Sequence, residues 1–256
     1  MTDSAEKDSA KRRKPEKPQS NSLFAKTVRR IKANPVGAFV LDVLVIVASA
    51  LILSLVIKTF LIRSFYIPSG SMETTLLVND RIIVNELVPD FVPLERGDVV
   101  VFKDPGGWLG ERPVVSQPNG ILAFGEWIAS VVGLAAPDSA QHLVKRVIGV
   151  GGDHVVCCDV EGKITINGKQ ITEPYIAKGS TPSLKEFDVT VPQDMFWVMG
   201  DNRGNSEDSR FHGNLPSKGF VPKASVVGRA FVLSWPFAHW KWLDNYPNVF
   251  KDVPNN

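Results

Sequence analysis

Two side chains in this sequence are of types that could do chemistry together. One is a serine on a glycine turn, Ser71 in PSGSMETTL (68–76); the other is a lysine inside an apolar stretch, Lys145 in LVKRVIG (143–149). Glycine lets the chain bend sharply, so the Ser71 hydroxyl can project from a tight turn. An ammonium surrounded by apolar groups loses hydration, which favours the neutral amine, and a neutral lysine can accept a proton from a hydroxyl. The chemistry would be nucleophilic attack by Ser71 with Lys145 as general base. Taken alone, neither residue demands it. A turn serine can be only a turn, and Lys145 can point outward, alternating with Val144 at the period of a strand.

Other catalytic signatures are missing from the sequence. There is no HExxH, GxSxG or Walker A loop, and GVGGD at Gly149 does not continue into a dinucleotide motif. His142, His154, His212 and His239 are scattered, so their spacing offers neither a triad base nor a ligand set, and no metal or other cofactor is expected.

The elements that must hold Ser71 and Lys145 follow from how charge and hydropathy are distributed. The chain has 256 residues, 44% hydrophobic and 22% charged, which excludes a wholly disordered or many-span membrane protein. Residues 1–32 carry ten Lys/Arg against four Asp/Glu and include KRRK at 11–14, whereas the remainder is net acidic. Such a tail, poor in large apolar residues, is expected to be disordered over 1–35. From Val43 to Ile62 runs a stretch of 20 residues with one charge, Lys58. As a helix it would span about 30 Å, the thickness of a bilayer core. The only Ala-x-Ala, at 48–50, lies in mid-run, where cleavage of a leader is implausible. The stretch therefore reads as an uncleaved anchor over 36–62, its basic flank in the cytoplasm and residues 63–256 outside. That topological role removes the reason to read KRRK as a nucleic-acid site.

Beyond the anchor the pattern changes to short β-branched runs bounded by Gly, Pro, Asn and Asp. Strands are expected over Arg81–Asn85, Asp98–Phe102, Val144–Val150, His154–Cys157, Lys163–Ile166, Phe187–Val191, Met195–Met199 and Ser225–Ser234. Asn167-Gly168 predicts a type I′ hairpin. The exported part is thus mainly β, a partly closed barrel or sandwich. An insertion at about 104–142 interrupts it, with a short apolar helix over Ile121–Leu134 that either covers the barrel or touches lipid. The stretch LSWPFAHWKWL (233–243) has the aromatic content of a membrane-resting surface or of ordinary packing. Cys157 and Cys158, adjacent in sequence, are either thiols or a vicinal bridge, and no role is assigned to them.

Four ordered blocks then narrow the reading: PSGSM at 68–72, RGDVVVF at 96–102, KRVIGVGGD at 145–153 and MGDNRGNSEDSR at 199–210. With the anchor before them, they resemble the blocks of bacterial type I signal peptidase, and the insertion, the KRVIGVGGD form and the Cys-Cys pair are most similar to actinobacterial members. The resemblance covers roughly 65–233 without the insertion. It implies a signal-peptidase-like β-barrel or sandwich on a single N-terminal transmembrane helix. It implies Ser71 as nucleophile, Lys145 as general base, and an oxyanion hole made by the Ser71 N–H with the Ser69 hydroxyl. Ser206 would orient the lysine amine. Asp201, Asp208, Arg146 and Arg210 would form a charged frame, structural more than chemical; Arg146, next to Lys145 on a strand, should face away from its pocket. Phe65, Ile67 and Val144 would line shallow substrate pockets that accept small residues. Two positions depart from the family, which usually has proline at Thr74 and commonly at Gly151. Both lie beside a block, and the property they affect is loop rigidity.

The implied activity is that of a plasma-membrane serine endopeptidase that removes signal peptides after Ala-x-Ala-type sites. Its partners would be exported preproteins and membrane lipid, with no nucleic acid and no metal. Position agrees: Ser71 lies nine residues past Ile62, at most about 30 Å from the membrane. The alternative is a catalytically inactive, membrane-tethered protein that binds exported chains.

Overall fold

The computed structural model describes residues 35–110 and 141–255. The basic tail and the helix expected over Ile121–Leu134 lie outside the described residues. Pro35–Phe60 form one α-helix (α1), with proline at the start, where a missing N–H costs nothing. Over Pro35–Ile57 it is long and apolar enough to cross a membrane. Helix gives way to strand earlier than the apolar run suggests: Ile62, assigned above to the anchor, already opens β1 (Ile62–Tyr66). The reason is pairing and burial, since Ile62–Tyr66 are in antiparallel register with Arg81–Asn85 (β2), and Phe65, opposite Ile82, is 2% exposed.

The remaining strands are β3 (Val99–Lys103), β4 (His142–Gly149), β5 (His154–Cys157), β6 (Ile164–Ile166), β7 (Lys169–Gln170), β8 (Phe187–Thr190), β9 (Met195–Met199), β10 (Val221–Pro222), β11 (Val226–Trp235) and β12 (Lys241–Trp242). All eight expected strands are present, with ends shifted by no more than two residues. One sheet runs β1-β2-β11-β3-β4-β9-β10 with β12 on β11, and a second runs β7-β6-β5-β8. Every pairing is antiparallel. The fold is therefore mainly β. At the β6–β7 turn Asn167 and Gly168 have φ of 53° and 77°, the two positive values a type I′ turn requires. β3 and β4 pair directly, Lys103 opposite His142, so the chain between them leaves and returns at neighbouring points of one ladder. Cys157 and Cys158 are bonded to each other.

One core cluster positions the chemistry. Phe65 and Ile67 before the PSGSM turn, Met72 at its end and Leu76 after it are buried together with Ile82, Val84, Val99, Val101 and Leu233. The turn carrying Ser71 is thus tied to the core at both ends.

Candidate active site

Ser71 sits in a single 3₁₀ turn, Gly70–Met72, and Lys145 projects from the middle of β4. Lys145 Nζ is hydrogen-bonded to Ser71 Oγ at 2.6 Å. Lys145 is 4% exposed and Ser71 9%. Burial pushes the lysine pKa down from 10.5 to about 8; the Asp208 charge pulls it upward and Arg210 pushes it down again. Among apolar strands a protonated lysine lacks water, and the neutral amine gains population near neutral pH.

The charged frame surrounds this pair in two units. Asp208 accepts from Arg210 Nε at 2.8 Å and Nη2 at 2.7 Å, from the Gly200 N–H at 2.9 Å and from Ser206 Oγ at 2.8 Å. Burial alone would raise the Asp208 pKa, but the bonds and charge of Arg210 hold it below the usual value. Ser206 therefore gives its hydroxyl to Asp208, and the hydrogen bond of the lysine amine is to Ser71. In the second unit Arg146 clamps Asp201 through Nε at 2.9 Å and Nη2 at 2.7 Å, both side chains fully buried. It also donates to the carbonyls of Gly97 and Asp244. Arg146 and Lys145 thus reach different partners, as consecutive strand residues must. They still share one electrostatic frame, since the Asp201 charge acts on Lys145.

Several residues that hold the nucleophile turn were not singled out from the sequence. The Asn202 N–H donates to Ser71 O at 3.1 Å, and its side chain to Gly70 O at 3.0 Å and Glu73 Oε2 at 3.1 Å. Thr75 Oγ1 donates to Asp201 Oδ2 at 2.5 Å. Gly200 is needed for close approach: a Cβ there would collide with Ser206 Oγ and Ser71 O. Asn202 and Gly200 stand inside MGDNRGNSEDSR, so the block pointed to them, but no residue-type rule does. Thr74 has φ +86°, which proline, fixed near −65°, cannot adopt.

Ser69 Oγ lies 3.4 Å from Ser71 Oγ, on extended backbone just before the turn. Phe65 and Ile67 are each 2% exposed and belong to the core. Half-buried Val144 packs against the same cluster.

A buried serine–lysine pair mounted on antiparallel sheets can supply a nucleophile and its base, the chemistry of a serine hydrolase. Residues 40–235 match the family described as signal peptidase, peptidase S26, and the chain belongs to that family. As a member it is a serine peptidase that removes signal peptides. The chain is 40% identical over 211 residues to "Probable signal peptidase I" of Mycobacterium leprae, covering 72% of each protein. It is 39% identical over 215 residues to signal peptidase I of Mycobacterium tuberculosis, covering 77% of this chain and 72% of that one. Signal peptidase I of Pseudomonas aeruginosa is 33% identical over 78% of this chain and 74% of its own length. The mycobacterial relatives agree with the actinobacterial character expected above.

Proposed function

We propose that the chain is a single-pass membrane endopeptidase that cleaves exported preproteins with Ser71 as nucleophile and Lys145 as general base. The observation that carries this is the 2.6 Å contact between Ser71 Oγ and a buried lysine amine. Neutral Lys145 takes the proton as Ser71 Oγ bonds to the scissile carbonyl carbon, and the carbonyl oxygen becomes an oxyanion facing the Ser71 N–H and the Ser69 hydroxyl. The lysine ammonium then returns that proton to the leaving amine. The acyl-enzyme remains; neutral Lys145 next deprotonates the water that attacks it, and as the acyl–Oγ bond breaks the ammonium gives that proton to Ser71 Oγ, restoring both groups. Ser206 acts through Asp208, whose charge opposes the effect of burial on the lysine, and Asp201, Arg146 and Arg210 fix the frame.

The pH dependence tests the base. Below a pKa of about 8 the neutral fraction of Lys145 rises tenfold per pH unit. Accordingly kcat/KM for a preprotein peptide is expected to climb about tenfold per unit up to pH 8 and then level off. A limb centred near 6.5, the range of histidine, would remove Lys145 as base. In the same assay, leucine in place of alanine one or three residues before the cut is expected to slow cleavage, because a bulky side chain overpacks a shallow site walled by Val144 and floored by Phe65 and Ile67. Binding without cleavage by the native protein would leave the tethered binding protein as the reading.

The membrane enters through α1 and through a ribbon of exposed aromatics, Trp235 (49% exposed), Phe237 (76%), Trp240 (51%) and Trp242 (65%). Tryptophan favours the bilayer interface, and rings this exposed are not packed as a core. The basic N-terminal flank supports a cytoplasmic N-terminus with the catalytic part outside. Protease added to cells with a permeable outer layer is expected to digest epitopes after Arg63 and to spare an N-terminal tag. The opposite protection pattern would reverse the orientation.

A further inference from the structure

Thr74 is a β-branched residue in the left-handed region, with φ +86°, a conformation such residues adopt only where their surroundings compel it. Restraints act on it from three sides. Its own Oγ1 donates to the backbone carbonyl of Tyr175. On the N-terminal side, the Glu73 N–H donates to Gly70 O at 3.1 Å and its carboxylate accepts from Asn202. On the C-terminal side, the Thr75 N–H donates to Met72 O at 3.0 Å and its hydroxyl is held by Asp201. The Tyr175 anchor is itself rigid. Its ring is buried, its hydroxyl donates to Glu173 at 2.8 Å, and the Arg146 guanidinium lies 4.3 Å from the ring centroid. Glu173 is locked in turn by Arg203 at 2.6 Å, both side chains 1% exposed. Tyr175 follows β7, so the segment leaving the second sheet grips the turn three residues past Ser71.

Strained backbone persists where the surroundings over-determine it, and such positions gather at functional sites. We propose that Thr74 is a positioning residue: its hydroxyl, bonded to Tyr175 O, holds the left-handed turn that presents Ser71 Oγ to Lys145. This rests on Ser71 being the nucleophile. Without the bond, Thr74 relaxes toward negative φ, the turn rotates about it, and the fraction of molecules with Ser71 Oγ on Lys145 falls. Substrate contacts on β1 and β4 are untouched.

The test is kinetic, on the full-length protein in detergent with a preprotein peptide. Thr74→Val keeps shape and branching but removes the donor; kcat is expected to fall about 5- to 30-fold, with KM changed by no more than about twofold. Thr74→Ser, which restores the donor, is expected to recover most of the native kcat. Melting curves for both variants set an assay temperature at which each is fully folded. Native kcat in folded Thr74→Val would overturn the proposal, because the hydroxyl would then serve stability alone. Equal losses in Thr74→Val and Thr74→Ser would also overturn it, assigning the effect to the methyl group. Ser71→Ala, run alongside, separates the two levels: cleavage by that variant removes the nucleophile assignment, whereas its inactivity beside a fully active Thr74→Val removes only the positioning role.

Discussion

Replacing Lys145 by methionine is expected to abolish preprotein cleavage while leaving the protein folded. The side chain is 4% exposed and held among apolar strands, so exchanging the amine for a thioether of similar length removes a group that is costly to charge there. Stability should therefore hold or rise, and the thermal midpoint reports it. Under the proposed roles the chemistry loses its base: a Ser71 hydroxyl with its proton still in place is a poor nucleophile near neutral pH. Removing one member of a catalytic serine unit costs on the order of 10⁴- to 10⁶-fold in kcat elsewhere, and the same range is expected for Lys145→Met and for Ser71→Ala. Because the two residues act as a unit, the double variant should be hardly slower than either single one. Residual cleavage above about 1% in a clean Lys145→Met preparation would exclude it as general base, since no one-group loss of that kind is so small.

Ser69→Ala carries the second large effect. Negative charge builds on the carbonyl oxygen only as Ser71 attacks, so a hydroxyl aimed at that oxygen stabilises the transition state more than bound substrate. The position of Ser69 Oγ, 3.4 Å from Ser71 Oγ, puts the donor beside the attacking atom. By analogy with loss of one oxyanion donor in an unrelated protease, kcat should fall about 100- to 1,000-fold, roughly 2.7 to 4 kcal/mol, with KM little changed. Ser69→Thr keeps the hydroxyl and should retain more activity if its methyl is accommodated. A raised KM at constant kcat would instead make Ser69 a substrate-binding residue and leave the oxyanion to backbone donors.

What sequence reading could and could not reach has physical causes. Lys145 was legible because a cation in an apolar run is an anomaly whichever way it points, and the strands were legible because β-branched runs stop at turn residues. β1 was not, because Ile62–Tyr66 continues an apolar run and only its ladder with Arg81–Asn85 distinguishes strand from helix. Thr75, Asn202 and Gly200 were overlooked because what they do is local: a hydroxyl on Asp201, an amide on Ser71 O, a missing Cβ. No periodicity encodes those. Arg146 was expected to face away from the lysine; its grip on Asp201, Gly97 O and Asp244 O depends on chain segments far apart in sequence. Phe65 and Ile67, named as pocket lining, are each 2% exposed. Side-chain type alone does not tell a pocket wall from the layer beneath it.

The aromatic ribbon over 235–242 also governs how the protein behaves once taken out of its bilayer. A shortened chain beginning after α1 loses the candidate span but keeps Trp235, Phe237, Trp240 and Trp242 exposed, in the ring pairs Trp235–Phe237 and Trp240–Trp242, a patch of apolar surface that water does not solvate well. Such a fragment will cover the patch with detergent or with copies of itself. Its hydrodynamic size in buffer will then reflect micelles or aggregates of the fragment and not a monomer, and crystals are to be sought with the amphiphile kept in.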